Sequence, residues 1–214
     1  MDITSLGHSS FKLRGKQATV VMDPYGSMVG FPFPKHTTAD IVTISHDHED
    51  HNAAELIEGA PYVVKGPGEY EIKGVGIVGL GTYHDDQQGE KRGKNTIYRI
   101  EIDGMSVVHL GDLGHELSSA DVDSLDGVDI LFVPVGGVYT IDAGMAVKVI
   151  SEIEPTIVIP MHYSRPGLDQ KAFASLLGVE AFLKEMGKTE GSPQPKFSVT
   201  KDKLPEEMQV IVLE

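Results

Sequence analysis

Short runs of apolar and β-branched residues recur through the chain and predict most of its regular structure. Such runs, bounded by Gly, Pro, Asn or Asp, are typical of buried β-strands. Asp103-Gly104 is a favoured two-residue turn, which predicts a hairpin over residues 97–105. The strands predicted in this way are Asp2–Leu6, Phe11–Leu13, Thr19–Met22, Asp40–Ile44, Val75–Gly81, Met105–His109, Thr156–Pro160 and Met208–Leu213.

Two later segments have apolar residues at helical spacing and predict helices over Asp142–Glu152 and Gln170–Lys184. Their Met and Phe side chains are expected in the core. Strands interleaved with helices indicate an α/β protein whose sheets are covered by helices. A chain of 214 residues with 40% hydrophobic content can bury a substantial core. We therefore expect a single domain over residues 1–214.

The segment Ser45–Asn52 carries three of the nine histidines, together with acidic residues, directly after the predicted strand Asp40–Ile44. Imidazole and carboxylate donors at this density favour a metal site, and they suit zinc, iron or manganese. Asn52 followed three residues later by Glu55 has the form of a helix N-cap. The cluster is thus predicted in a loop between a strand and a short helix.

Three further donors follow other predicted strands. His84 comes after Val75–Gly81, Asp112 after Met105–His109, and His162 after Thr156–Pro160. A single histidine after a strand is usually an ordinary loop residue. Because the carboxyl ends of neighbouring strands open on one crevice in an α/β sheet, the repeated pattern predicts that these donors meet.

The segment His46-Asp-His48-Glu-Asp50-His51 resembles the HxHxDH motif of the metallo-β-lactamase superfamily at every position. The later donors occur in that superfamily's order, and the resemblance spans nearly the whole chain. It is nearest to the compact branch of ascorbate-6-phosphate lactonase-like and predicted zinc-dependent hydrolases. That branch also has a Gly-His near the start and a Pro-x-Gly-Gly later, here Gly7-His8 and Pro134–Gly137. The fold implied is a four-layer αββα sandwich.

The resemblance also implies two divalent metal ions, zinc first among Zn²⁺, Mn²⁺, Ni²⁺ and Fe²⁺. One ion would be held by His46, His48 and His84, and the other by Asp50, His51 and His162, with Asp112 shared between them. Asp112 would position the nucleophile, and Asp50 or a water on the metal would pass a proton to the leaving group. Asp23, at the end of Thr19–Met22, would support the ligand loop through hydrogen bonds.

Substrate-binding candidates are fewer. His8 lies in a predicted tight turn that the resemblance places at the mouth of the site, and Gly136 and Gly137 could direct backbone N–H groups at a developing oxyanion. Arg92 and Lys94 lie in a charged loop that could meet an anionic substrate, although solvated loop charges are the commoner explanation. His109 precedes Gly111-Asp112, and a supporting or core position is expected for it rather than metal ligation.

The reaction implied is metal-assisted hydrolysis by a bridging hydroxide of a small-molecule ester, lactone or phosphoester. A phosphodiesterase or nuclease of the same fold is one alternative. A non-hydrolytic metal-binding module is the other, although redox or degenerate relatives tend to replace or lose ligands that are all present here.

Composition limits the kinds of partner that the protein is expected to bind. A net charge of −14 argues against an extensive nucleic-acid surface, which normally needs clustered Lys and Arg. Cysteine is absent, so neither disulfides nor thiolate ligands are available. The start of the chain has neither a basic region nor a long apolar segment, so we expect a cytoplasmic protein without membrane contact. A small-molecule substrate is expected as its partner, and a homo-oligomer is compatible with the sequence.

Overall fold

The structure is a computed structural model that describes residues 1–188 and 193–214, and two mixed β-sheets dominate it. The first sheet has six strands in the order β12-β1-β2-β3-β4-β5. It pairs β3, β4 and β5 in parallel and the remaining neighbours antiparallel. Its strands are β1 (Asp2–Gly7), β2 (Ser10–Arg14), β3 (Thr19–Met22), β4 (Ile41–Ile44), β5 (Tyr62–Lys65) and β12 (Phe197–Ser198).

The second sheet has seven strands in the order β13-β11-β10-β9-β8-β7-β6. One half, in the order β9-β10-β11-β13, is parallel, and β6 to β9 form an antiparallel meander. The hairpin between β8 and β9 turns at Asp103-Gly104, where both residues have positive φ, as predicted. Its strands are β6 (Gly68–Ile72), β7 (Val75–Tyr83), β8 (Lys94–Ile102), β9 (Met105–His109), β10 (Ile130–Pro134), β11 (Ile157–Met161) and β13 (Gln209–Val210).

The main core lies between the two sheets. Alternate residues of each strand point inward, so Ile3, Leu13 and Met22 of the first sheet meet Ile100 and Phe132 of the second. All five are fully or almost fully removed from water. Burial of each such side chain stabilises the fold by about 1.5–3 kcal/mol.

Helices cover the outer face of the second sheet. The α-helices are α1 (Ser119–Ser124), α2 (Ala143–Ile153) and α3 (Val179–Glu185). Ala146, Val149 and Phe182 pack there against strand residues such as Leu131 and Val158. Asp142 begins α2 by accepting a hydrogen bond from the Met145 amide. None of the described helices is both long and apolar enough to cross a membrane.

The outer face of the first sheet is covered differently. Val21, Val42 and Ile44 pack there against Ile57 and Phe33, which lie in irregular segments. Single-turn 3₁₀ helices occur at Ser27–Val29, Ala54–Leu56 and Lys201–Lys203. The αββα sandwich is therefore confirmed, with this outer layer built of loops and short turns in the described ranges.

Two predicted helical features are wrong. Asn52 does not cap a helix. Its side-chain amide donates a hydrogen bond to the Asp47 carboxylate, and the turn that follows is a 3₁₀ turn that begins after Ala53. Only the second half of Gln170–Lys184 is α-helical. Residues 170–178 form turns because Leu177 donates its amide to Gly136 and Gly178 pairs with Ser164, so tertiary hydrogen bonds replace helical ones.

Candidate metal centre

Histidine and aspartate side chains from both sheets meet at the carboxyl ends of β4, β7, β9 and β11. The loop after β4 supplies four predicted ligands, His46, His48, Asp50 and His51. The strands of the second sheet supply the others, His84, Asp112 and His162. The structure thus brings together all seven side chains that the sequence nominated.

Asp112 occupies the middle of the group. Its Oδ2 lies 3.2 Å from His84 Nε2 and 3.2 Å from His162 Nε2, while its Oδ1 lies 3.3 Å from His51 Nε2. His46 Nε2 is 3.9 Å from Oδ2. One buried carboxylate therefore faces nitrogen donors from both halves of the predicted ligand set.

The predicted ligands fall into two of three compact donor groups among the described residues, and the third combines Asp23 with His46 and His51. In one, the ligating atoms of His46, His48 and His84 lie within 4.8 Å of one another. In the other, those of Asp50, His51 and His162 do so together with His8, which the sequence did not nominate as a ligand. Spacings of this order are what several donors around one ion require.

The chemistry of the donors also fits a cation. Among the described residues, the buried Nε2 atoms of His46, His51 and His162 and Oδ1 of Asp112 have no hydrogen-bond partner. Burial lowers the pKa of His46 to about 3, an effect that the charge of His51 reinforces. Although burial raises the pKa of Asp112, the charges of His162, His51 and His84 hold it well below its usual range. Neutral imidazoles and ionised carboxylates are the forms that bind metals.

His51 behaves differently from its neighbours. Burial lowers its pKa, but the negative charges of Asp112 and Asp50 outweigh burial and raise it well above its usual value. A proton on His51 therefore offsets the surrounding carboxylates in the metal-free protein. A divalent cation held by the same carboxylates would remove the reason for that proton.

Asp23, at the end of β3, supports both donor groups from behind. Its Oδ2 accepts a hydrogen bond from His51 Nδ1 at 2.8 Å, and its Oδ1 accepts one from the Ser45 amide at 2.8 Å. The Ser45 hydroxyl donates to Oδ2 at 2.5 Å and also lies 2.9 Å from His46 Nδ1. The predicted supporting role of Asp23 through hydrogen bonds is confirmed.

Three residues of the site have left-handed backbone conformations. The φ angles are 52° at His8, 44° at Asp23 and 52° at His162. Residues other than glycine adopt the left-handed backbone region at a cost in free energy, and residues with this conformation concentrate at functional sites. Here the conformation turns each side chain into the crevice as its strand ends.

The predicted substrate-binding residues take different positions. His8 Nε2 lies 3.3 Å from Asp50 Oδ2, and its ring packs against His162 and Phe173 with ring centroids 4.3 Å and 5.0 Å away. Gly136 lies against the His162 backbone, where a Cβ would collide. None of His8, Gly136 and Gly137 lines the cavity that opens over the donors. Their roles in substrate binding stay predictions.

The remaining histidines have partners elsewhere. His109 is buried, with Nε2 2.9 Å from the Ser9 carbonyl oxygen and Nδ1 accepting a hydrogen bond from the Gly111 amide. It therefore supports the turn that presents Asp112. His36 is exposed beside Glu58, and His115 accepts a hydrogen bond from the Tyr83 amide.

A cavity of about 480 Å³ opens over the donors. His48, Asp50, His84, Asp112 and His162 form its polar side. The apolar and aromatic part of its lining, here called the apolar wall, consists of Met28, Tyr139, Ala172 and Phe173. The volume suits a small molecule.

Sequence reasoning missed this apolar wall. Phe173 was expected to be a core residue, and it is indeed buried with Tyr25 and Leu176, but it also lines the cavity. Tyr139 and Met28 lie in segments without regular hydrophobic spacing. Their only sequence signal was proximity to the Pro134–Gly137 motif or to the aromatic segment that follows Gly26.

Known proteins match both the sequence and the fold. A profile of the beta-lactamase superfamily domain matches residues 2–162. A UPF0173 metal-dependent hydrolase of Thermococcus onnurineus (strain NA1) is 29% identical, over 82% of this chain and 92% of that protein. One of Thermoplasma volcanium is 30% identical, over 74% of this chain and 81% of that protein.

Among solved structures, a Thermotoga maritima protein described as a Zn-dependent hydrolase of the metallo-β-lactamase superfamily is 37% identical, with a TM-score of 0.82. The match covers 99% of this chain and 97% of that one. A metallo hydrolase of Ignicoccus hospitalis has a TM-score of 0.62 at 22% identity, covers 93% of this chain and 99% of its own, and supports the fold alone.

The paired sheets and the histidine-aspartate crevice define a metal-dependent hydrolase. The chain belongs to the metallo-β-lactamase superfamily.

Proposed function

We propose that this chain hydrolyses a small-molecule ester, lactone or phosphoester with the help of two divalent metal ions, zinc first among the candidates. The observation that carries the proposal is the position of Asp112, whose carboxylate faces donors of both groups within 3.3 Å. A carboxylate that must serve two sets of imidazoles is suited to bridge two cations.

The residues that would hold the ions follow from the two donor groups. His46, His48 and His84 would hold one ion, and Asp50, His51 and His162 the other, with Asp112 between them. When bound, such ions supply Lewis acidity, which activates water and polarises the bond under attack. The Nδ1–H of His51 donates a hydrogen bond to Asp23, so Nε2 is the nitrogen that would bind the ion.

The chain's own residues would order the reactants. Asp112 would orient the attacking water, and Asp50, whose carboxylate lines the cavity, would pass a proton to the leaving group. His8 would keep the Asp50 carboxylate in place through the 3.3 Å contact. Phe173 and Tyr139 would exclude water from the apolar side of the substrate.

A small substrate is supported by two observations. The cavity of about 480 Å³ suits a small ligand rather than a polymer. The net charge of −14 opposes the phosphate backbone of a nucleic acid, which the nuclease alternative would have to bind.

The test combines metal content with a substrate screen. Inductively coupled plasma mass spectrometry on the purified protein should find about two divalent ions per chain, as a dinuclear site requires. The count should fall in His48→Ala and stay unchanged in His115→Ala, whose imidazole lies outside both donor groups. Lactones, carboxylic esters, phosphomonoesters and phosphodiesters would then be assayed with the metal found. Wild-type protein without bound metal after growth in supplemented medium would refute the dinuclear proposal.

A further inference from the structure

The loop between β7 and β8 is organised around one carboxylate. Asp85, directly after His84, accepts four backbone hydrogen bonds, at 2.8 Å from Gln87, 2.9 Å from Gly89, 3.0 Å from Lys91 and 2.7 Å from Arg92. The loop is therefore folded around an anion of its own, and the backbone of Arg92 is fixed close to the donor His84.

The side chain of Arg92 is also held in place. Its guanidinium carbon lies 4.6 Å from the centre of the Tyr139 ring, a cation–π contact that orients the planar group. The residue is half-buried and lines the cavity beside His48 and Asp112. A fixed loop and an aromatic platform distinguish Arg92 from a freely moving surface cation.

The guanidinium has no acidic partner in the described parts of the chain, unlike two neighbouring cations. Lys65 pairs with Asp47 at 2.9 Å, and Lys91 pairs with Asp86 at 3.9 Å. Arg92 forms no salt bridge or side-chain hydrogen bond within residues 1–188 and 193–214. Its N–H donors are thus available to a ligand in the cavity.

The negative charges around the cavity make Arg92 the favourable position for an anionic group of a ligand. Asp47 and Glu49 line the cavity together with Asp50 and Asp112, and the whole chain carries a net charge of −14. An anionic group entering the cavity away from bound metal would meet repulsion except near Arg92, the one Lys or Arg among the residues that line it. The fork of a guanidinium matches the oxygens of a carboxylate or phosphoryl group.

We propose that Arg92 forms an anion subsite beside the metal centre, so that the substrate carries a carboxylate or phosphoryl group as well as the bond to be cleaved. The apolar wall of Met28, Ala172 and Phe173 would hold the hydrocarbon part of the same molecule. The inference rests on the proposed function and narrows its substrates to small anionic esters or lactones.

The test is calorimetric titration of the metal-loaded protein with non-hydrolysable probes. Benzoate and phenylphosphonate carry the two anions on an aromatic ring, and benzamide is the neutral counterpart. The variants are Arg92→Gln and the matched control Lys91→Gln, which removes a neighbouring charge that is paired with Asp86. Metal content is measured on each preparation.

In wild type and in Lys91→Gln, we expect at least one of the two anions to bind about tenfold or more tighter than benzamide, as a guanidinium–anion pair allows. Arg92→Gln should lose that preference while its metal content and benzamide binding are unchanged. A larger preference for benzoate or for phenylphosphonate would support the subsite and identify its anion.

Equal anion binding by wild type and Arg92→Gln would overturn the proposal, because the anion would then be held by metal alone. Failure of the dinuclear proposal gives a different result, since the mass-spectrometric count would show no metal. The dependence of anion binding on Arg92 would then be measured by the same titrations on the metal-free protein, so the two failures are distinguishable.

Discussion

Replacing Asp23 with Asn tests whether one buried carboxylate sets the ligand geometry of both donor groups. Asp23 is fully buried and accepts hydrogen bonds from the Ser45 amide, the Ser45 hydroxyl and His51 Nδ1. Asn has the same shape but only one acceptor oxygen, and its NH₂ group would face an N–H or O–H donor. The change therefore removes charge without opening a cavity.

The expected magnitude follows from those contacts. A hydrogen bond to a charged group contributes about 1.5–3 kcal/mol, and a buried donor left without a partner costs about 1–3 kcal/mol. At least one of the three bonds is lost and its donor is left unpaired, so the metal-free protein should lose about 1–3 kcal/mol of unfolding free energy. Because His51 would no longer be held with Nε2 toward Asp112, metal affinity should fall about 10–100-fold.

The assay is competition with a chromophoric chelator, combined with urea denaturation of the metal-free protein. Asp40→Asn is the matched control, since Asp40 accepts a hydrogen bond from the Thr19 amide at the opposite end of β4. The control should lose some stability but keep its metal affinity. Wild-type metal affinity in Asp23→Asn would refute the view that Asp23 orients His51.

Three further substitutions probe other parts of the molecule. Burial lowers the pKa of His8 to about 4. Between pH 6.5 and 4, His8 is therefore protonated in the unfolded chain but stays neutral in the folded protein. Metal-free protein should lose about 3 kcal/mol from this group between pH 6.5 and 4, and denaturation curves of His8→Gln should show a flatter pH dependence than wild type. Gly114→Ala places a Cβ on the backbone of His84 and Asp85, so metal affinity should fall, while Gly76→Ala, whose Cβ would make only ordinary contacts with Glu101, keeps wild-type affinity; equal affinities would contradict the crowding argument. Phe132→Ala should cost about 3–5 kcal/mol of unfolding free energy by leaving a cavity between the sheets, and a loss below 1 kcal/mol would show that the core refills.

The positions of the candidate metal ligands could be predicted because their information is local. His46, His48, Asp50 and His51 lie within one loop, and each later donor follows a run that is apolar enough to identify as a strand. Convergence of strand ends then predicted that these donors meet, and the family resemblance supplied their assignment to two ions. The Asp103-Gly104 hairpin was readable for the same reason, since the turn residues themselves specify it.

The cavity wall could not be predicted because its position depends on tertiary contacts. The helical spacing of Gln170–Lys184 favoured a single helix, yet the Leu177 amide donates to the Gly136 carbonyl and the Leu177 carbonyl accepts from the Ser164 amide. Those contacts unwind the first half of the segment and bring Phe173 beside His8. The position of Arg92 likewise depends on the amides that surround Asp85, which no spacing rule reveals.

The division of the candidate ligands between the two sheets has a consequence for the folding of the protein. His46 and His51 belong to the first sheet and are synthesised early, whereas His162 follows β11 of the second sheet, late in the chain. Only a chain in which both sheets have formed and docked can offer the whole donor set to an ion. A ligand that binds only the native state raises the free energy of unfolding by about 2.7 kcal/mol when its concentration is a hundred times its dissociation constant. Metal binding would therefore stabilise correctly folded chains and leave partly folded chains open to degradation.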